Sequence, residues 1–478
     1  MDEKLASLFA QVPPRPDYNP VRKAIDASKD RPETANALKF FISMPPSTSV
    51  LANPVRHKLE APARDATLEL DVRSFTIRGK LFEEDIVSGK ADAVRVIFAG
   101  LFDRFPDESE AGLFRQFIAQ SFSKGLSRVL GKTQEFMKTF PDAPPDVAIQ
   151  HFGAFRKASR KIGQINASRP AAELLAEMIE IHMENVAVAA VASFMRRGNQ
   201  KAAGAQAEYP DPFGFLFHAL LGRQPNSDET KILGQLGAIQ VHHGSAGSNM
   251  VARYFATLHT RSVSDLFTAS QMALDCGRHF GAITDMTDFV HILEQTPEGE
   301  RDNVIRGRIL KGNLPTFGHP EIAAAGRENH LEMDPRPALY LAPLFDAIDR
   351  GTITVSPATL QRVGFVERIY QMALYEGVEK STGSGRLRLT PNTDFGAWLV
   401  QEILGVEEPD RTLLSYAYRG FGWMMDVREQ LQQPIIRPVI PPDPSIVPGP
   451  STSHLIPSVI SSVHQRLVAG NAFSKRNP

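Results

Sequence analysis

Apolar positions recur at spacings of three and four over most of the chain, the period of an amphipathic helix. The pattern predicts helices over residues 91–101, 110–129, 145–160, 171–196, 228–242, 249–258, 264–276, 285–295, 299–312, 337–349, 358–376, 395–404 and 411–431. Pro and Gly separate many of these runs. Between Thr67 and Gly79 the pattern changes: TLELDVRSFTIRG alternates weakly, as a β element does. Residues 1–65 are rich in Pro and charge (VPPRPDYNP, SKDRPETAN, MPPSTS). They read as an arm with short helices, one around Leu38–Ile42, packed on a larger body. Beyond Pro438, VIPPDPSIVPGPSTSHLIPS carries too many prolines for a helix and reads as extended, with a last short helix over Val459–Leu467. No internal repeat is found. The expected fold is mainly α.

Composition narrows the classes. The 478 residues suffice for one large or two moderate domains, and 42% apolar with 22% charged residues is the balance of a soluble globular protein. A net charge of −1 gives no basic footprint for nucleic acid. Cys276 is the sole cysteine, which excludes an intramolecular disulfide framework and a Cys-based zinc site and is compatible with a reducing compartment. The longest apolar run, Val186–Met195, is too short to span a bilayer. The N-terminal MDEKLASLF has no signal-peptide core, and the final FSKRNP carries no retrieval or lipid signal. A cytoplasmic protein is expected, with neither a nucleic-acid nor a membrane partner.

The stretch from Pro391 to Pro438 holds the densest candidate chemistry. The turn signal Pro-Asn-Thr leads to Asp394, and Phe395, Trp398, Leu399, Ile403 and Leu404 then follow at helical spacing. Asp394 is therefore an N-cap or first-turn residue, either a cap alone or a functional carboxylate. In the next helix Leu413, Leu414, Ala417, Phe421, Met424, Val427 and Leu431 share one side, with Arg419 at its middle, one turn before Trp423. Arg437 sits in Ile435-Ile436-Arg437-Pro438, where the proline bars a helix. An acid and two arginines on an apolar scaffold suit a small polyanion, because guanidinium pairs bidentately with carboxylates.

Three histidines add to this set. His243 falls on a stripe with Ile232, Leu236 and Ile239, either as a satisfied core histidine or as a ligand. His279 lies in CGRHFGA, where glycines either cap a helix or let a ligand approach the backbone. His319, between Gly318 and Pro320, reads as a loop residue, either a surface turn or part of a loop that presents its ring to an acyl or phosphate group.

In their order along the chain these segments resemble citrate synthases. Pro-Asn-x-Asp opening a helix, Arg-x-x-Gly-Trp and Ile-Ile-Arg-Pro are similar to the C-terminal part of that family. IRGKLFEEDIVSGKADAVRVIFAGLFDRFPDESE resembles its early segment, and DPFGFLFHALLGRQP its phenylalanine-rich segment. AIQVHHGSAGSNMVAR resembles the family's HADHELNASTFAAR-type motif, with Gln240, His242, Gly244 and Ala246 departing from it. CGRHFGA is similar to GPLHGGAN, with Phe280 departing. Phe317-Gly318-His319 and Asp334-Pro335-Arg336 match a Gly-His loop and a following Asp-Pro-Arg. Pro320, however, replaces an arginine there. The connection between them is also about eight residues longer than usual, more than a typical whole loop. Arg327, Lys311 or Arg308 is then left to supply phosphate contacts. The likeness runs over roughly residues 64–440.

The resemblance implies a citrate-synthase-like fold, with a large helical domain and a smaller mobile one. Its parts would be an N-terminal arm (1–63), a large domain (64–279 and 386–440), a small domain (280–385) and an extended Pro-rich arm (441–478). It implies a condensing enzyme that joins an acyl-CoA, acetyl-CoA by default, to oxaloacetate and hydrolyses the thioester. Catalysis would fall to His279, His319 and Asp394. Binding of the oxo acid would fall to His243, Arg336, Arg419 and Arg437. The family also implies a homodimer, in which Arg437 reaches the partner's site, and acyl-CoA as a co-substrate without a tightly bound cofactor. Two further readings stay open: a 2-methylcitrate or longer alkylcitrate synthase, and a catalytically silent scaffold that binds a partner or ligand.

Overall fold

The structure is a computed structural model. It describes residues 68–71, 74–77, 80–81, 92–102, 104–159, 162–165, 169–204, 211–242, 247–257, 262–274, 281–318, 335–376, 378–379, 386–387, 389, 391–432, 455–469 and 473. Helices dominate these residues. An antiparallel ribbon comes first, β1 (Leu68–Asp71), β2 (Ser74–Ile77) and β3 (Lys80–Leu81), with Leu68 opposite Ile77 and Thr76 opposite Leu81. It occupies the stretch whose pattern alternates, and the chain turns twice within it. The helices of the first half are α1 (Ala93–Phe102), α2 (Glu108–Thr139), α3 (Pro145–Ser159), α4 (Ala171–Arg196), α5 (Pro212–Leu221), α6 (Ser227–Gln240), α7 (Gly247–Thr257) and α8 (Val263–Leu274). Those of the second half are α9 (Gly281–Gln295), α10 (Glu298–Leu310), α11 (Pro335–Arg350) and α12 (Pro357–Tyr370), which runs on as a π turn at Gln371–Glu376. A two-stranded pair, β4 (Val378–Glu379) and β5 (Arg386–Leu387), then precedes α13 (Thr393–Leu404), α14 (Arg411–Gln432) and α15 (Leu455–Val468). No described helix is long and apolar enough to cross a membrane.

Most predicted helices are present with ends shifted by a few residues, and four differences have physical reasons. Helix α2 runs ten residues past the predicted end at 129, because its buried stripe continues through Thr133 and Met137. Thr133 enters the stripe by donating its hydroxyl to the Val129 carbonyl at 2.9 Å. Helix α5, apolar almost all round, shows no clear period. Its signals are its caps, Asp211 before Pro212 and a left-handed Gly222 after Leu221. Helix α6 ends at Gln240, three residues short of His243, so the predicted stripe does not extend to that residue as helix. The last helix expected over Val459–Leu467 is present as α15 but begins earlier, at Leu455, and takes Pro457 into its first turn. A proline there removes an N–H that has no intrahelical partner anyway.

Helix α4 is the axis of the first half. It is buried almost continuously from Met178 to Phe194, and α2, α3, α5, α8 and α14 pack around it. A helix apolar on all sides belongs inside a core. Its few polar groups are paired. Arg156 of α3 donates to Glu184 at 2.6 Å, to Asn185 at 2.6 Å and to Ser264 at 3.0 Å, and Asn185 donates to the Tyr416 hydroxyl at 2.9 Å. His182 donates Nε2–H to the Ala417 carbonyl at 2.7 Å and stacks on Phe267. A Cβ on Gly420 would collide with the His182 ring, 2.1 Å from its nearest atom, so glycine is what lets α14 approach α4 here.

Complete burial lowers the His182 pKa to about 4, against the weaker effect of the Ala417 carbonyl. The unfolded chain protonates near 6.5 and the folded one does not, so stability is full above about pH 6.5 and falls as pH drops toward 4. Between pH 7 and pH 5 this one group removes about 2 kcal/mol. Urea unfolding at the two pH values should show that loss, and His182→Gln should flatten the corresponding part of the slope.

Candidate active site

Asp394 is the second residue of α13. Asn392 is the N-cap, and its side chain accepts the Asp394 backbone N–H at 2.9 Å. The capping function therefore belongs to Asn392. The part-exposed Asp394 carboxylate stands at the positive end of the helix, where negative charge is stabilised.

The segment before α13 is bonded to the segment before His319. Pro391 forms a β-bridge with Phe317, and Asn392 donates its N–H to the Thr316 carbonyl at 3.0 Å. Gly318, next to His319, has φ +81°. Thr316 has φ +62° and is buried, a costly conformation for a β-branched residue. Such strain persists where surrounding contacts enforce it, and here the bridge to Pro391 and Asn392 does so.

Two further elements converge on the same helix start. From α11, whose first turn contains Arg336, Tyr340 donates its hydroxyl to the Thr393 carbonyl at 2.6 Å. A Cβ on Gly396 would meet both Pro337 and Tyr340, so glycine lets α11 and α13 touch at this level. From α9, which begins two residues after His279, Thr287 accepts Trp398 Nε1–H at 2.9 Å and Arg411 Nη1–H at 2.6 Å. Thr287 also donates to the Ile283 carbonyl at 3.1 Å, so its hydroxyl is fully used as a joint between α9, α13 and α14. The flanks of His319, Arg336 and Asp394 are thus held in one framework, and α9 is tied to the same helix.

Arg419 and the flank of His243 meet at a second cluster. Arg419, in α14, is 1% exposed and donates to Asn249 of α7 at 3.2 Å. Asn249 donates in turn to Asp426 at 2.5 Å. Asp426 is fully buried, and it also accepts from His242 at 3.0 Å and pairs with Arg253 at 2.5 Å. A Cβ on Gly422 would overlap the Val241 carbonyl, so glycine brings α14 against the chain just before His243. Sequence reasoning passed over Asp426 and Asn249. The legible signal was Asp426 itself, an acid in the apolar run of α14 seven residues after Arg419, two helical turns along the same face.

His243, His279, His319, Arg437 and Arg327 lie outside the described residues, as does the long connection after His319; of Arg336 the helix position is described. Among the proposed phosphate contacts, Arg308 stacks over Phe289, 5.3 Å from the ring centroid, and Lys311 is exposed at the end of α10.

Comparison with known proteins identifies the fold and the family. Three solved citrate synthases share the fold. That of Thermoplasma acidophilum, in a ternary complex with carboxymethyl coenzyme A and oxaloacetate, is 16% identical with a TM-score of 0.55, over 80% of this chain and 91% of its own. That of Thermotoga maritima is 17% identical with a TM-score of 0.55, over 77% and 90%. That of Pyrobaculum aerophilum is 16% identical with a TM-score of 0.54, over 78% and 87%. No curated protein matches at the sequence level. The family described as citrate synthase, C-terminal domain, matches residues 71–439, and the chain belongs to the citrate synthase family.

Proposed function

We propose that the chain is a condensing enzyme that joins an acyl-CoA, acetyl-CoA by default, to oxaloacetate and hydrolyses the thioester. The observation that carries this reading is the backbone pairing of Thr316-Phe317 with Pro391-Asn392, which brings together the segments leading to His319 and Asp394. Proton removal beside a thioester carbonyl needs a base, and the carboxylate at the start of α13 serves as one. The enolate oxygen then takes a hydrogen bond from His279. The enolate carbon attacks the ketone carbon of oxaloacetate, and the ketone oxygen takes a proton from His319. Water finally cleaves the thioester and releases coenzyme A with a free thiol. Arg336, Arg419 and Arg437, with His243, hold the carboxylates of the oxo acid. The substrate pair is also supported by the Thermoplasma acidophilum relative, whose structure contains a coenzyme A analogue and oxaloacetate.

In this reading residues 280–385 form a small domain that closes against 64–279 and 386–440 and excludes water until hydrolysis. The working form is a homodimer, with Arg437 completing the partner's site, and acyl-CoA is a co-substrate rather than a tightly held cofactor. The test is free-thiol release from acetyl-, propionyl- and hexanoyl-CoA with and without oxaloacetate. Oxaloacetate-dependent release is expected, and the fastest chain names the acyl group. Propionyl- or hexanoyl-CoA in first place makes the protein an alkylcitrate synthase. Absence of release with every chain, from folded protein, removes this reading and leaves a different oxo acid or a binding scaffold.

A further inference from the structure

The family match ends at residue 439, and α15 lies beyond it. Its position is specific. It packs on α11, on α12 and on the π turn. Arg466 forms a two-bond pair with Asp349 of α11, at 2.7 and 3.1 Å, and lies over the ring of Phe345 on the same helix. On the other side His464 Nδ1 shares a hydrogen bond with the Tyr370 hydroxyl at 2.6 Å, and Gln371 donates to the Val468 carbonyl at 3.0 Å. Val463 and Leu467 are buried between these contacts.

The two elements that α15 bridges are also two that hold Asp394. Tyr340 of α11 fixes the carbonyl of Thr393, immediately before it. Tyr370 packs its ring against Phe395, immediately after it, with centroids 5.7 Å apart. Phe395 in turn meets Phe317 edge-on at 5.2 Å, two residues before His319. The π turn begins directly after Tyr370, and such turns occur often at functional sites.

We propose that α15 is an intramolecular clip across α11 and α12 that sets the position of Asp394, with His464 and Tyr370 as positioning residues. The inference rests on the condensing function for its kinetic consequence alone. A clip acts on geometry, and a displacement of about 1 Å at a reacting group costs up to about 10²-fold in rate. Loss of the His464 contact alone leaves the Arg466–Asp349 pair on α11, the helix of Arg336, and leaves Arg419 on α14.

The test uses the full-length chain with His464→Ala and His464→Asn. In His464→Ala, kcat should fall about ten-fold while KM for oxaloacetate stays within about two-fold, as loss of an interaction acting in the transition state requires. Amide exchange over residues 393–396 should quicken while that of α4 stays unchanged. His464→Asn, which returns an acceptor close to the Nδ1 position, should recover most of both effects. Unchanged kcat and unchanged exchange at 393–396 overturn the clip. So does faster exchange in α4 and at 393–396 alike, which marks a general loss of stability. Exchange needs no turnover, so a wild-type chain that releases no thiol, yet loosens selectively at 393–396 in His464→Ala, removes the condensing function and retains the clip.

Discussion

Asp394→Asn should lower the rate of oxaloacetate-dependent thiol release by about 10²–10⁴-fold, the range for loss of a general base. The substitution is nearly isosteric and leaves the backbone N–H of residue 394 free to donate to the Asn392 side chain, so the start of α13 keeps its cap. The carbonyl of Thr393 stays bonded to Tyr340, and Phe395 remains packed on Phe317 and Tyr370. Urea unfolding should therefore shift by no more than about 1 kcal/mol, the range for losing a negative charge at a helix N-terminus. KM for oxaloacetate should change little, because the oxo acid is assigned to the arginines. Retention of a tenth or more of the wild-type rate would move the base elsewhere.

Asp426→Ala should carry the largest loss of stability, about 3–5 kcal/mol in urea unfolding, the cost of removing one partner from a buried ion pair. Arg253 is 5% exposed, and its partner Asp426 is fully buried. Without the carboxylate, the guanidinium loses its counter-charge in a low-dielectric setting. Asn249 and His242 lose their acceptor as well. Because Asn249 accepts from Arg419, the effect passes to the residue assigned to substrate carboxylates. The affinity for oxaloacetate should fall with stability, measured by calorimetry at a temperature where the variant is folded. A loss below about 1 kcal/mol would show that the cluster is solvated rather than buried.

What the sequence disclosed follows from the range of the forces involved. Periodicity and caps are local, and they placed α4 at residues 171–196 and Asp394 in a first turn. That Asn392 rather than Asp394 is the cap appears only in three dimensions, where the Asn392 side chain accepts the Asp394 N–H. Helix α2 was cut short because its stripe passes through a threonine that hides its hydroxyl by bonding to its own helix. The bridge between Phe317 and Pro391 has no local signature, since it joins residues more than seventy positions apart. The Asp426 cluster was missed for the same reason: His242, Asn249 and Arg253 become its partners only when α14 packs against α7.

Helix α14 touches its neighbours through glycines at Gly420 and Gly422, and Tyr418 of α14 fills the space that Gly237 leaves on α6. Contacts of this kind cannot be loosened by degrees, because the next larger side chain collides with a ring or a backbone carbonyl. Arg419 is thereby held on a helix that has almost no freedom to slide or rotate. Selection or engineering of this chain would leave α14 as a fixed reference. Libraries directed at 418–422 should yield mainly insoluble variants.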